Sequence, residues 1–245
     1  MNRRTLLLFG LVALAAIPTL AALWLAASTD DDGAILVFAP SSLAPLQVAL
    51  DDGLAQHGVE DVEWVFAGSQ SLVAQLVDGA PADVLLTADR ATFDDALSRG
   101  GGWPDQRFFA TNHLVLATPP SNPAGLTAIS ALADPDLLIG VCAADVPCGR
   151  LAVEAAELAD LDIVADTEET SARALTAKLR SGELDAGLVY LTDAVAAGLH
   201  IVEPDAFAAT MTIYWGTAGE TGTAVLDFLV GPAGTSILAD AGFGP

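Results

Sequence analysis

Short apolar runs alternate along this chain with stretches whose apolar positions recur every three or four residues. Residues 35–38 (ILVF), 62–66 (VEWVF), 84–87 (VLLT) and 113–118 (HLVLAT) read as strands. Leu43, Leu46, Leu50 and Leu54 set a helix over 43–57, which Gly58 ends. Helices over 71–77 and 91–98 stop at Gly79 and at Gly100-Gly101-Gly102. Pro119-Pro120 ends the fourth strand, and a crossover between two domains is expected there. A second set follows: residues 129–132, a strand over 138–141, a helix over 150–158 and an apolar piece at 163–165. A helix over 171–180 then precedes Gly182, with a strand over 186–190 and a short helix at 195–197. Residues 211–215 read as a late strand that returns the chain to the first set, and helices over 223–229 and 235–241 finish it. Strands alternating with helices predict α/β domains with mostly parallel sheets and crossover helices.

Two of the strand-to-helix turns carry serines: Ser41 and Ser42 after the first strand, and Ser69 after Phe66-Ala67-Gly68. Ser42 stands where an N-cap belongs, and Ser69 can be read the same way. A helix start also leaves backbone N–H groups unpartnered and carries partial positive charge, so it can hold an anion. Two such turns can face one ligand.

Charge narrows the partners. The 245 residues carry a formal charge of −23 with nine Lys and Arg. Nucleic acid is excluded as a partner, because neutralising phosphates needs a basic face. An anion must be held by local dipoles and hydroxyls, against the long-range field. The N-terminus is a targeting segment: Arg3 and Arg4, an apolar run over 6–27, then Asp30-Asp31-Asp32. The run is long enough to span a bilayer, so residues 1–33 are a signal peptide or an uncleaved anchor with an acidic linker. Ser28 follows Ala26-Ala27, so no cysteine is available there for a lipid. The remainder is exported. In that compartment Cys142 and Cys148, in CAADVPC, read as a disulfide. Closing so short a loop stabilises by about 2 kcal/mol in the chain-entropy model. The three histidines are scattered, and no metal site is expected.

Catalytic patterns are missing. There is no G-x-S-x-G, no Walker A lysine motif and no H-E-x-x-H. Arg150, Arg173, Lys178 and Arg180 read as helix-surface charges.

VFAPSSL, FAGSQSLVAQL followed by GAPADVLLTAD, VPCGRLA, AGLVYLTDA and FLVGPAGTSILADAGF resemble, in that order, the periplasmic molybdate-binding proteins of ABC transporters. The resemblance runs from Ile35 to Phe243. It implies a type II periplasmic-binding-protein fold of two α/β lobes joined by a hinge, with residues 34–116 and 208–245 in lobe 1 and 117–207 in lobe 2. It implies a site of neutral donors: the hydroxyls of Ser42, Ser69 and Tyr190, and backbone N–H groups at Cys148 and Ala172. It implies molybdate or tungstate as ligand, an ABC permease as partner, a monomer, no cofactor and no covalent chemistry. Gly68 and Pro40 depart from it, since relatives often carry serine and alanine there. Asp193, close to Tyr190, reads as a cap or outer group, because a carboxylate repels a dianion.

Chemistry agrees with that implication. Molybdate and tungstate are proton-free dianions that a shell of donors satisfies. Monohydrogen phosphate carries a proton and requires an acceptor, so such a shell disfavours it. Sulfate differs from molybdate only in size. The competing expectations are a binder of sulfate or another small ligand, a secreted α/β hydrolase, and a membrane-anchored sensor domain of the same fold.

Overall fold

The computed structural model describes residues 33–245; the expected signal or anchor segment lies outside the described residues. Strands β1 (Ile35–Pro40), β2 (Val62–Ala67) and β3 (Val84–Thr87) alternate with α1 (Gln47–Gln56), α2 (Ser69–Val77) and α3 (Arg90–Ser98). A 3-10 helix, Ser41–Leu46, joins β1 to α1. After the long β4 (Asp105–Thr118) and a 3-10 turn at Ile129–Ala133 come β5 (Ile139–Cys142), α4 (Pro147–Leu158), β6 (Thr167–Glu169) and α5 (Ala172–Ser181). Then follow β7 (Ala186–Tyr190), α6 (Leu191–Ala197), β8 (His200–Val202), β9 (Met211–Ala218), α7 (Thr223–Val230) and α8 (Pro232–Asp240).

The strands run in the order β2-β1-β3-β9-β4-β7-β5-β6, with β8 added on β4. Parallel pairing holds where strands alternate with helices: β1 with β2 and β3, and β5 with β6 and β7. The centre is antiparallel, because β9 returns between β3 and β4 while β7 and β8 fold back on β4. The sheet is therefore mixed, with its parallel strands toward the two ends.

Two large apolar cores flank this centre, beside a smaller third cluster of Phe38, Leu72, Val73, Leu85 and Ala96. One gathers Val37, Leu50, Leu54, Leu86, Leu226 and Leu229, all fully buried. The other gathers Leu114, Leu116, Ile139, Leu175, Leu179 and Leu188. Each such leucine contributes roughly 1.5–3 kcal/mol by leaving water. Strand β4 belongs to both. Its residues 105–113 pair with β9 and its residues 114–118 with β7 and β8, so one continuous strand links the halves.

Several local expectations are corrected. The fourth strand begins eight residues earlier than the apolar run suggests, because Asp105–Asn112 is held by its pairing with β9 rather than by a continuous apolar sequence. The apolar piece at 163–165, given no element by the sequence, lies just before an edge strand, Thr167–Glu169, of three polar residues beside β5. Helix α4 starts at Pro147, whose missing N–H costs nothing at a first helical position. That places Cys148 in its first turn.

Candidate functional site

Four strand-to-helix turns point their helix starts at one cavity between the halves. From the first half come the turn after β1, with Ser41 and Ser42, and the turn after β2, with Gly68, Ser69 and Gln70. From the second half come Val146–Cys148 at the start of α4, and Thr170–Ala172 at the start of α5. Tyr190, at the end of β7, completes the wall. All five residues predicted from the sequence, Ser42, Ser69, Cys148, Ala172 and Tyr190, line this one space. The cavity offers about 20 Å³ to the centres of water-sized spheres. Treated as a sphere, and with a probe radius of ~1.4 Å added, that is a hollow of roughly 3 Å radius. That is the scale of one small tetrahedral oxyanion.

Neither serine caps its helix. Pro40 and Gly68 occupy the cap positions, and no side chain bonds there. Both hydroxyls are engaged over long range instead. Ser69 Oγ accepts the N–H of Ala88 at 3.1 Å, which leaves its own proton free to donate. Ser42 Oγ lies 2.8 Å from the hydroxyl of Tyr214. Burial pushes the Tyr214 phenol far above its ordinary range, so it stays protonated and can donate to Ser42. Ser42 is then free to pass a proton on toward the cavity. Tyr214 has no signature in the sequence beyond its place in an apolar strand.

Tyr190 is fully buried, and its hydroxyl has no hydrogen-bond partner. Desolvation raises its pKa well above 10, so it is a donor without an acceptor. A buried polar group left in that state is costly unless a ligand completes it. Ala172 and Cys148 sit in first helical turns, where backbone N–H groups lack intrahelical partners. Ser171, not Ala172, caps α5, its hydroxyl accepting the N–H of Ala174 at 3.2 Å. A disulfide joins Cys142 to Cys148 and closes the turn between β5 and α4. Among the described residues, no side chain of Asp, Glu, Lys, Arg or His lines the cavity.

Charged groups lie outside it. Arg150 donates through Nε to Asp89 at 2.8 Å and through Nη2 to the hydroxyl of Thr92 at 2.5 Å. The reading of Arg150 as a plain surface charge is thus overturned: its partners belong to the other half. Asp193, in the first turn of α6, is buried with one carboxylate oxygen unpartnered. Desolvation raises its pKa from 3.8 to about 7.

Two α/β halves enclosing a small, uncharged cavity of hydrogen-bond donors define a protein that captures a solute between them. A family model described as bacterial extracellular solute-binding protein matches residues 35–244, and the chain belongs to that family. It is a family of binding proteins, and the expectation that the chain performs no covalent chemistry rests on that membership. Molybdate-binding protein ModA of Mycobacterium tuberculosis is 34% identical over 180 residues, covering 72% of this chain and 68% of that one. Its counterpart in Escherichia coli is 28% identical over 230 residues, 87% and 90% of the two chains. Among solved structures, the periplasmic molybdate-binding protein of Azotobacter vinelandii superposes with a TM-score of 0.71 at 20% identity, over 86% of this chain and 99% of that one. The sulfate-binding protein SubI of M. tuberculosis gives 0.73 at 15% identity, over 87% of each chain. These structures share the type II periplasmic-binding-protein fold expected from the sequence motifs.

Proposed function

We propose that this protein captures molybdate, or tungstate, outside the cytoplasmic membrane and delivers it to an ABC permease. The observation that carries the reading is a cavity of oxyanion size whose walls supply helix N-termini, two serine hydroxyls and the unpartnered hydroxyl of Tyr190, with no charged side chain. The relatives named as molybdate-binding support the same ligand. In this reading the two halves are lobes, residues 34–116 with 208–245 and residues 117–207, which close over the dianion. Ser42, Ser69, Cys148, Ala172 and Tyr190 supply its hydrogen bonds. The protein acts as a monomer without nucleic acid, and residues 1–33 direct or anchor it at the membrane. Titration calorimetry with molybdate, tungstate, sulfate and phosphate tests this. Heat with molybdate and tungstate and none with phosphate is expected. Sulfate binding without molybdate binding would overturn the choice of ligand.

Asp193 adds a pH dependence. Its proton is retained below about 7 in the folded protein, whereas an unfolded aspartate releases it near 3.8. The folded state therefore binds more protons between those values, and stability falls as pH rises from 3.8 to 7, then levels off. The total is at most about 4 kcal/mol, one pKa unit being ~1.4 kcal/mol. A bound dianion favours the protonated form further, so affinity should also fall as pH rises through about 7. Asp193→Asn should flatten both profiles in calorimetry and thermal melts on either side of neutral pH.

A further inference from the structure

Besides the buried bond from Asn112 to the hydroxyl of Thr192, side-chain hydrogen bonds tie the halves together on two rims of the cavity. On one rim Arg150, two residues after Cys148, reaches Asp89 and Thr92 at the start of α3. Its third group, Nη1, donates to the carbonyl of Asp145 at 2.5 Å, inside the disulfide-closed turn. Asp89 is held from its own side, because its other oxygen caps α3 by accepting the N–H of Thr92 at 2.8 Å. Ala88, the residue before it, donates to Ser69. The chain of contacts therefore runs from Ser69 through Ala88 and Asp89 to Arg150 and the Cys148 turn. On the other rim Gln70, next to Ser69, donates to the carbonyl of Thr170 at 3.0 Å, two residues before Ala172. Gly68 leaves room for this contact. A β-carbon there would stand 2.7 Å from both the Gln70 amide nitrogen and the Thr170 carbonyl oxygen.

We propose that Arg150 is the closure residue of this binding protein. Its guanidinium locks Asp89 and Thr92 of the first half to the Asp145–Cys148 turn of the second, holding the donor turns in register over the ligand and setting the rate of release. Gln70 and Thr170 form the weaker counterpart on the opposite rim. Three features assign the main role to Arg150. Its contacts join α4 of the second half to the start of α3 of the first, so they exist only while the halves are together. The planar fork engages three acceptors at once, a geometry that lysine cannot reproduce. Asp89 is largely buried at the pair, its side chain 13% exposed, so the bond is shielded from solvent. The ion pair is also neutral as a unit, which fits a residue that fastens the halves rather than one that binds the anion. Closure of this kind acts on dissociation, since arriving ligand meets the halves apart.

The assignment rests on the reading of the cavity as an oxyanion site, and the experiment separates the two. Molybdate release after rapid dilution, followed by stopped-flow tryptophan fluorescence, should be about tenfold faster in Arg150→Met than in the parent protein, with association changed less than about twofold. Asp89→Asn keeps a capping side chain but loses the charge, and it should match Arg150→Met. The double variant should be no worse than either single one. Arg150→Lys should fall between. The melting temperature of the ligand-free protein should stay within a degree or two of the parent's. An unchanged release rate overturns the assignment, and so does a lower ligand-free melting temperature with release unaffected, which marks a merely structural pair. If the parent protein binds no oxyanion, the functional reading fails, and closure is read without ligand. Spin labels at Val48→Cys and Leu158→Cys, exposed sites on the two halves, should then show a smaller closed population in Arg150→Met. Identical distance distributions would refute the latch.

Discussion

Replacing Ser42 and Ser69 together by alanine should weaken molybdate binding by about 10²- to 10⁴-fold, the loss of two hydrogen bonds to a charged group at ~1.5–3 kcal/mol each. A loss of that size requires both hydroxyls to have a proton to give. Ser69 accepts from Ala88 N–H, and Ser42 can accept from Tyr214, whose phenol stays protonated. Each serine is then oriented from behind with its own proton directed elsewhere. That arrangement orders the site before ligand arrives and lowers the cost of binding. The Ser69 change also leaves Ala88 N–H unpartnered, so a stability loss of about 1 kcal/mol should accompany it. Calorimetry measures the first effect and a thermal melt the second. Full affinity in a well-folded double variant would remove these serines from the site.

Both serines are legible in the sequence, but with the wrong local role, and the reason is range. Sequence spacing finds a serine at a helix start, and capping is what serine does there on local grounds. Tyr214 is 172 residues from Ser42 and Ala88 is 19 from Ser69. Those partners outcompete the cap, while backbone at Pro40 and Gly68 makes the turn. Arg150 reads as a surface charge for the same reason, as Asp89 lies 61 residues away. Apolar runs place β3 and β7 to the residue, because continuous burial on both faces writes itself into composition. The first half of β4 and the edge strands β6 and β8 escape such a reading, since their pairing is fixed by neighbours and their side chains are mixed or polar. Ser42 and Ser69 are reachable from their strand-to-helix turns, whereas Cys148, Ala172 and Tyr190 come from motif resemblance, and nothing in the spacing brings Ser42 and Ala172 together. Gln70 and Gly68 matter only once the halves meet, which no local pattern records.

Gly149→Ala should be the most damaging single substitution near the site. A β-carbon at Gly149 would lie 1.8 Å from the carbonyl oxygen of Ala143 and 2.8 Å from that of Cys142. Both are backbone atoms, and the disulfide between Cys142 and Cys148 closes them into a small ring with little freedom to yield. Overpacking of side chains costs roughly 1–3 kcal/mol, and a contact against fixed backbone should reach or exceed the upper end. The displaced segment carries Cys148 at the cavity and Asp145 on the rim, so affinity should fall along with the melting temperature. A further variant separates the ring from the crowding. Opening the disulfide with Cys142→Ala and Cys148→Ala should cost about 2 kcal/mol in the parent. It should cost less in the Gly149→Ala background, because the loosened turn can move away from the new methyl group. Additive losses would place the strain elsewhere. Unchanged affinity and melting temperature in Gly149→Ala would mean that the turn is not packed around this glycine, and other contacts would then have to hold Cys148 at the cavity and Arg150 on its rim.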